Sequence, residues 1–364
     1  MKNILHVIGY LGRGGDTAVV LQVLVRMDRQ QYHFDFVTHE GRMRQETVSF
    51  LRQQGCRVYI LPGDVRALGL VRYLHEFGEF LRTAPVSYDA IHVHTGMQSG
   101  VALLAAKRAG IPIRICHSHV TAIQRKAPAV QKLLSVPVFR FLIRTCATQW
   151  VGCSRAAGEF LFGNQPFSLL YNGVDTEAFE TVAVEQIAAI RKTLHAENGE
   201  MVIGMAARMT PMKNHAFALA LAEALRDLPN LRFVFLGDGE LLEALKAQAG
   251  DDPRIFFPGQ RSDVAVWMKA FDCLLLPSNP GEGFPMAVLE GQAAGCPCLI
   301  SDNITEEADA GLGLVQRLPL ELPKWSDAIR NFPGKPKGEA WACQLAQRGF
   351  GLGQMTQSWL ALYR

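Results

Sequence analysis

The residue types able to do chemistry concentrate in one stretch, Glu282-Gly283-Phe284-Pro285-Met286-Ala287-Val288-Leu289-Glu290. The apolar run at 273–276 before it reads as a buried strand. Pro277, Pro280 and Gly281 then force a loop. Pro285 suits the first turn of a helix, where its missing N–H costs nothing, and only Gly291 interrupts the helical run 286–294. In an open α/β sheet ligands bind beyond the carboxyl ends of the strands. A helix that starts there aims free N–H groups and a partial positive charge at an anion. Glu282 belongs to the loop, and Glu290 lies about 1.5 Å per residue further along the helix, roughly a turn and a half in. One carboxylate is therefore expected at the anion and the other some way along the ligand.

A second group is histidine. His92 and His94 end one expected strand, and His117 and His119 end the next. Alternate residues of a strand share a face, so each pair can point one way. Zinc is one reading of such pairs. Cys116 is the one further ligand type close by in sequence, and without a neighbouring carboxylate the pairs read better as strand-end groups that cap or hydrogen-bond. The expectation is no metal. Cys296 and Cys298 flank Pro297 in an expected buried strand and read as core filler.

The elements that must position these groups follow from pattern. At 364 residues the chain exceeds one ordinary core, and two domains are expected. Apolar content of 49% with 20% charged residues suits a globular α/β protein. A net charge of +3 is too small to point to nucleic acid. Residues 4–8 read as a strand, 9–15 as a glycine loop and 17–27 as a helix, though the glycine spacing departs from G-x-G-x-x-G. Strands follow at 34–38, 57–61, 90–94, 111–116 and 150–154, and helices at 44–54, 65–82, 100–109, 131–147 and 155–162, with Ser154 as an N-cap. Repeated strand–helix units imply a parallel sheet covered on both faces. Asn172-Gly173 marks a turn, and a domain boundary is expected from there to 182. The second half restarts with strands at 201–207, 231–236, 255–259, 273–276 and 295–300.

Charge is unevenly spread. Residues 90–158 contain no Asp or Glu but hold Lys107, Arg108, Arg114, Arg125, Lys126, Lys132, Arg140, Arg144 and Arg155. An anionic membrane surface or a pyrophosphate-bearing acceptor suits such a face, and an ordinary surface balanced by acids elsewhere suits it equally. The eight cysteines form no C-x-x-C, which argues for a reducing compartment. Residues 1–8 are too short an apolar run for a signal peptide, and no run approaches the roughly 20 apolar residues of a membrane span. A cytoplasmic protein is expected, with any membrane contact peripheral, at the inner face.

The stretch from Glu282 to Glu290 resembles the E-x7-E signature of retaining GT-B glycosyltransferases of the sucrose-synthase-like family (glycosyltransferase family 4, group 1). Gly295-Cys296-Pro297-Cys298-Leu299-Ile300 resembles its G-x-P-V-I strand, and Asn172-Gly173-Val174-Asp175 its linker. The resemblance implies two Rossmann-like doubly wound parallel-sheet domains: an acceptor domain at 1–171, to which a tail at 345–364 returns, and a nucleotide-sugar donor domain at 172–344. It implies that Arg208 and Lys213 clamp the donor diphosphate with the helix end at Phe284, Pro285 and Met286. A planar guanidinium and a point-charge ammonium suit two phosphates. Glu282 would contact the donor sugar and Glu290 the ribose. Asp238 and Gly239 would form a turn beside the donor, and Arg261 would lie in the base-binding turn. Gly15 would approach the diphosphate through its backbone, although Asp16 and Thr17 stand where the family carries its acid one place later. His119, or His117 in its place, would face the donor sugar from the end of the fifth strand. The implied activity is retaining transfer from a nucleotide-diphosphate sugar, uridine first and guanosine second, to a saccharide or lipid-linked acceptor in bacterial polysaccharide assembly. No metal or cofactor is expected, and the chain has no D-x-D pair. A catalytically degenerate subunit that binds or activates a partner, and a nucleotide-dependent oxidoreductase, are the alternatives.

Overall fold

In a computed structural model of the chain, the described residues are 1–12, 14–122, 129–336, 338 and 340–364, with backbone alone for 129–135. Arg13 of the glycine loop, Arg125 and Lys126 of the basic stretch, and the side chain of Lys132 lie outside them.

Two sheets organise the chain. The first has strands β1 (Lys2–Val7), β2 (Tyr32–His39), β3 (Val58–Leu61), β4 (Ala90–Val93), β5 (Ile113–Ser118), β6 (Gln149–Gly152) and β7 (Ser168–Leu169), in the order β3-β2-β1-β4-β5-β6-β7. The second has β8 (Met201–Ala206), β9 (Leu231–Leu236), β10 (Ile255–Gly259), β11 (Cys273–Leu276), β12 (Cys298–Ser301) and β13 (Val315–Leu318), in the order β10-β9-β8-β11-β12-β13. All pairings are parallel. In each sheet the strand order reverses beside the first strand of its half, which creates the crevice where doubly wound folds bind ligands. The apolar runs that mark the strands pack under helices on both faces, as parallel sheets require. Leu5, Val7, Phe77, Ile91 and Val93 centre the first core, and Phe233, Phe235, Leu275 and Trp325 the second.

The chain divides into two compact units. One comprises Met1–Asn172 with Gly353–Arg364, and the other Gly173–Leu352. The C-terminal return to the first unit thus begins at Gly353. Trp359 and Tyr363 are fully buried there, and Gln149 donates its side-chain amide to the Leu362 carbonyl at 3.0 Å.

Local differences from pattern have local causes. The expected helix 65–82 is two, Val65–Leu68 and Leu70–Thr83, broken at Gly69, whose φ is 77°. Asp64 caps the first piece by accepting from the Arg66 and Ala67 amides, both at 3.0 Å. Ser154 caps Arg155–Phe162 as expected, accepting from the Ala157 amide at 3.1 Å. Pro285 sits at the N-cap of the helix Met286–Ala293 instead of in its first turn. The edge strand β13 is additional to the expected set. It is short, and the polar pair Gln316-Arg317 interrupts its apolar residues, so no continuous apolar run announces it.

The loops after β8 and β9 touch through backbone. The Met209 amide donates to the Asp238 carbonyl at 2.8 Å, and Gly237 and Gly239 take φ of 129° and 157°. A Cβ on either would meet the Ala207 or Met209 carbonyl oxygen at 2.2 or 2.3 Å. Gly237→Ala and Gly239→Ala are expected to destabilise the protein by about 2 kcal/mol or more each. Urea titration checks this, and an unchanged midpoint for both variants contradicts it.

Candidate active site

The second unit gathers most of the candidate residues at the carboxyl ends of its central strands. The loop after β11 runs from Pro277 into the helix Met286–Ala293. It is tied on two sides. The Asn279 amide donates to the Met212 carbonyl at 2.7 Å, and its side chain to the Pro211 carbonyl at 2.8 Å. Ser301 at the end of β12 donates its hydroxyl to the Ser278 carbonyl at 2.7 Å, and Asn303 its amide to the same oxygen at 3.0 Å. The loops after β8, β11 and β12 therefore form one hydrogen-bonded frame.

Within that frame Lys213 and Glu282 meet. The ammonium donates to Glu282 Oε2, and the Ser278 hydroxyl donates to the same oxygen at 3.5 Å. The Lys213 and Glu282 side chains are only 16% and 10% exposed, so the pair is poorly solvated and weakly screened. Breaking such a pair by removing one partner is costly, because it strands the other charge. Next to Lys213, Asn214 takes a left-handed backbone (φ 58°) and opens the helix His215–Ala224. His215 is buried, and burial, with Lys213 adding to it, pushes its ring down to about 4, so it is neutral near pH 7. Arg208 is exposed on the same loop.

Phe284 and Pro285 are buried at the start of Met286–Ala293, with Phe284 stacked on Phe350 at 6.3 Å between ring centres. Gln292 fixes the helix from behind, donating to the Ala308 carbonyl at 2.8 Å and accepting from the Ala310 amide at 2.9 Å. Glu290 is half-buried on this helix, and burial pushes its carboxyl up to about 7. Asp238 and Gly239 lie in the turn pinned to the β8 loop. Arg261 makes a two-pronged pair with Asp263, at 2.9 and 3.0 Å, over the Trp267 ring. It is thus engaged by its own turn, on the exposed side.

Gly15 and His119 belong to the other unit. Gly15 is exposed and opens the helix Gly15–Arg26. Asp16 turns back to accept from the Thr17 amide at 2.8 Å. His117 and His119 are two of five clustered histidines, with His6, His92 and His94. His119 is half-buried and the other four are buried. Burial pushes the rings of His6 and His119 down to about 3 and about 4 and the other three well below their ordinary range, so the cluster is neutral. His6 joins this cluster from 88 residues before His94, and Tyr363 from 271 residues after His92 with Trp359 beside it, a proximity that local spacing cannot signal. Ser278, Asn279 and Ser301 are likewise additional to the residues marked by sequence. Asn279 and Ser301 donate to backbone carbonyls, which leave no side-chain motif, and Ser278 both supplies such a carbonyl and donates its hydroxyl to Glu282.

Two α/β units of Rossmann order, with cations, carboxylates and a helix end at the strand tips of one, define a GT-B glycosyltransferase. The comparisons with known proteins agree. The chain belongs to the group 1 glycosyl transferases: residues 200–322 match that family, and residues 14–165 match the glycosyl transferase 4-like domain. EpsF of Bacillus subtilis (strain 168), which carries a glycosyltransferase name, is 36% identical over an alignment covering all of this chain and 96% of that one. The UDP-Gal:alpha-D-GlcNAc-diphosphoundecaprenol alpha-1,3-galactosyltransferase of Escherichia coli is 25% identical, covering 79% of this chain and 76% of that one. Among solved structures, HepE of Anabaena in complex with UDP and glucose has the same fold, with a TM-score of 0.77 at 19% identity and 99% of both chains covered.

The Glu290 carboxyl has a stability consequence. Its ordinary value is 4.5 and its folded value about 7, so between these the folded protein binds more protons than the unfolded chain. Stability therefore falls as pH rises through that window and stays lowered above it. Glu290→Gln, which cannot ionise, is expected to raise the Tm of the ligand-free protein at pH 8 and leave it nearly unchanged at pH 4.5. Thermal unfolding followed by circular dichroism checks this, and an equal or lower Tm at pH 8 contradicts it.

Proposed function

We propose that this glycosyltransferase is a retaining enzyme that takes a sugar from a nucleotide-diphosphate sugar, uridine-linked first, and gives it to a saccharide or lipid-linked acceptor in bacterial surface polysaccharide assembly, without a metal. The observation that carries this is the Lys213–Glu282 pair, held by pinned loops at the entry to the helix Met286–Ala293. An ammonium, a carboxylate and a helix end in one frame suit a substrate with a diphosphate on one side and sugar hydroxyls on the other. The names of relatives support the substrate class: the Escherichia coli enzyme is named for UDP-Gal and a diphosphoundecaprenol-linked sugar, and HepE is described with UDP and glucose.

In this account the bond between the anomeric carbon and the diphosphate oxygen breaks, and negative charge builds on the leaving diphosphate. Arg208, Lys213 and the amides that open Met286–Ala293 absorb that charge, the work a divalent cation would otherwise do. Lys213 turns from Glu282 to phosphate, and the released carboxylate accepts from the sugar hydroxyls. Glu290 accepts from the ribose, Asp238 and Gly239 border the donor, and the turn with Arg261 holds the base mainly through backbone. Gly15 offers its amide to the diphosphate. His119, neutral, hydrogen-bonds the donor sugar. The acceptor attacks on the face the diphosphate leaves, and the departing phosphate takes the acceptor's proton, so configuration is kept.

Among the described residues, no helix is long and apolar enough to cross a membrane. Val138 and Phe141 are exposed on the helix Ala129–Cys146, with Arg144 exposed beside them. This face suits peripheral contact with an anionic membrane, where a lipid-linked acceptor would be met.

A donor panel with mass detection of released nucleotide is expected to find transfer from a UDP-sugar that EDTA leaves intact. Loss of activity on chelation, restored by a divalent cation, contradicts the metal-independent mechanism. Nucleotide bound but never released from any donor points instead to a binding subunit. Lys213→Ala is expected to lower kcat by about 10²–10³-fold, the scale of one lost transition-state contact. Glu290→Ala should weaken binding of free nucleotide in calorimetry, while Glu282→Ala lowers transfer far more than nucleotide binding. Equal losses in both variants overturn these roles. Phe141→Ser with Arg144→Glu should reduce flotation with phosphatidylserine vesicles, and unchanged flotation removes the membrane contact.

A further inference from the structure

The five histidines of the first unit form an ordered circuit. His119 Nε2 faces His94 Nδ1 at 2.9 Å, and His94 Nε2 faces His6 Nδ1 at 3.2 Å. His92 Nε2 faces His117 Nδ1 at 3.1 Å. The two rows meet at one hydroxyl: Tyr363 lies 2.7 Å from His92 Nδ1 and 3.4 Å from His6 Nε2. The rows also stack, with 4.4 Å between the His92 and His94 rings and 4.1 Å between those of His117 and His119.

Two triplets, His6-His92-His94 and His94-His117-His119, each bring three nitrogens within 4.8 Å, which invites a cation. Ring orientation argues for protons. The His6–His94, His92–His117 and His94–His119 planes differ by only 13°, 17° and 34°, with centres 5.4, 5.2 and 5.1 Å apart. Rings so nearly in one plane, with nitrogens 2.9–3.2 Å apart, point those nitrogens at each other. A nitrogen engaged in that way has no lone pair to aim at a shared metal.

A neutral imidazole has one N–H and one lone pair. Each ring in a row therefore dictates the tautomer of the next, and because Trp359 takes one lone pair of the Tyr363 oxygen that joins the rows, only two arrangements satisfy every link: all five rings protonated on Nε2, or all five on Nδ1. Tyr363 decides between them. Its oxygen already accepts from the Trp359 indole N–H at 2.8 Å and has one proton to give. That proton belongs to the nearer partner, His92 Nδ1, and the remaining lone pair then accepts from His6 Nε2. Every ring follows as the Nε2–H tautomer.

We propose that Tyr363 is a positioning residue that holds all five rings in the Nε2–H tautomer, so that half-buried His119 presents a bare Nδ1 and meets the donor sugar as a hydrogen-bond acceptor. The contact with donor rests on the role given to His119 above, whereas the tautomer does not. The rings stay neutral, because burial lowers each of them and their electrostatic neighbours are one another. Phe34, Phe36 and Trp359, which pack against them, carry no charge. The circuit ends inside at His117 Nε2, which has no partner among the described residues. The opposite polarity would leave that nitrogen bare and put the proton on His119 Nδ1.

Two-bond proton–nitrogen NMR of the 15N-labelled protein reads the tautomers directly. The expected spectrum of the unaltered protein shows Nε2 protonated and Nδ1 bare for His6, His92, His94, His117 and His119 at pH 7. A protonated Nδ1 on His119, or mixed tautomers across the cluster, overturns the proposal. So does displacement of these signals by one equivalent of zinc, which would make the cluster a metal site. Tyr363→Phe keeps the ring and removes the hydroxyl. It is expected to leave His119 in both tautomers and to lower kcat several-fold with nucleotide affinity unchanged. Retention of a single tautomer in that variant overturns the positioning role. Mixed tautomers with undiminished kcat would keep the circuit and reject the sugar contact of His119.

Discussion

A buried ion pair between Lys213 and Glu282 is the constraint on which the second unit's functional corner depends. Two opposite charges with little access to water are tolerable only while geometry keeps them together. The protein supplies that geometry through backbone: Asn279 ties the β11 loop to the β8 loop, Ser301 and Asn303 tie it to the end of β12, and Gly237 and Gly239 let the β9 turn close on the β8 loop. The cation and carboxylate proposed to divide a substrate between them are thus held ready by each other when the substrate is away. A site that keeps its charges paired until binding avoids leaving either one stranded, and the proposed exchange of partners would tie recognition of the phosphates to recognition of the sugar.

The first unit solves a different problem. Its strand tips carry five imidazoles with no carboxylate partner among the described residues, and burial keeps all five neutral. Polarity is fixed there by hydrogen-bond direction, not by charge. The C-terminal segment matters for that reason, since Trp359 and Tyr363 close the circuit from the last turn of the chain. The carboxyl of Glu290, inside the helix Met286–Ala293, shows a third balance: burial that disfavours its charge is a standing cost in stability.

Much of this was legible in sequence because parallel strands buried on both faces are continuous apolar runs. That is why β1, β4, β8, β9 and β11 were readable. Gly69 lay inside an otherwise helical pattern, and periodicity alone carried the helix through it. β13 was hidden because a four-residue edge strand with two polar residues at its centre looks like a loop. In the site, Lys213, Glu282 and Glu290 were marked by motif, but their state was not. That Lys213 is spent on Glu282 and that Tyr363 reaches His92 depend on contacts between distant segments, and that Arg261 is spent on Asp263 depends on how its own turn folds.

A crystal of the protein soaked with UDP tests the central claim most directly. The account predicts both phosphates against Arg208, Lys213 and the first amides of Met286–Ala293, with the Lys213 ammonium drawn away from Glu282. Phosphates bound elsewhere, with the Lys213–Glu282 pair still closed, would contradict it.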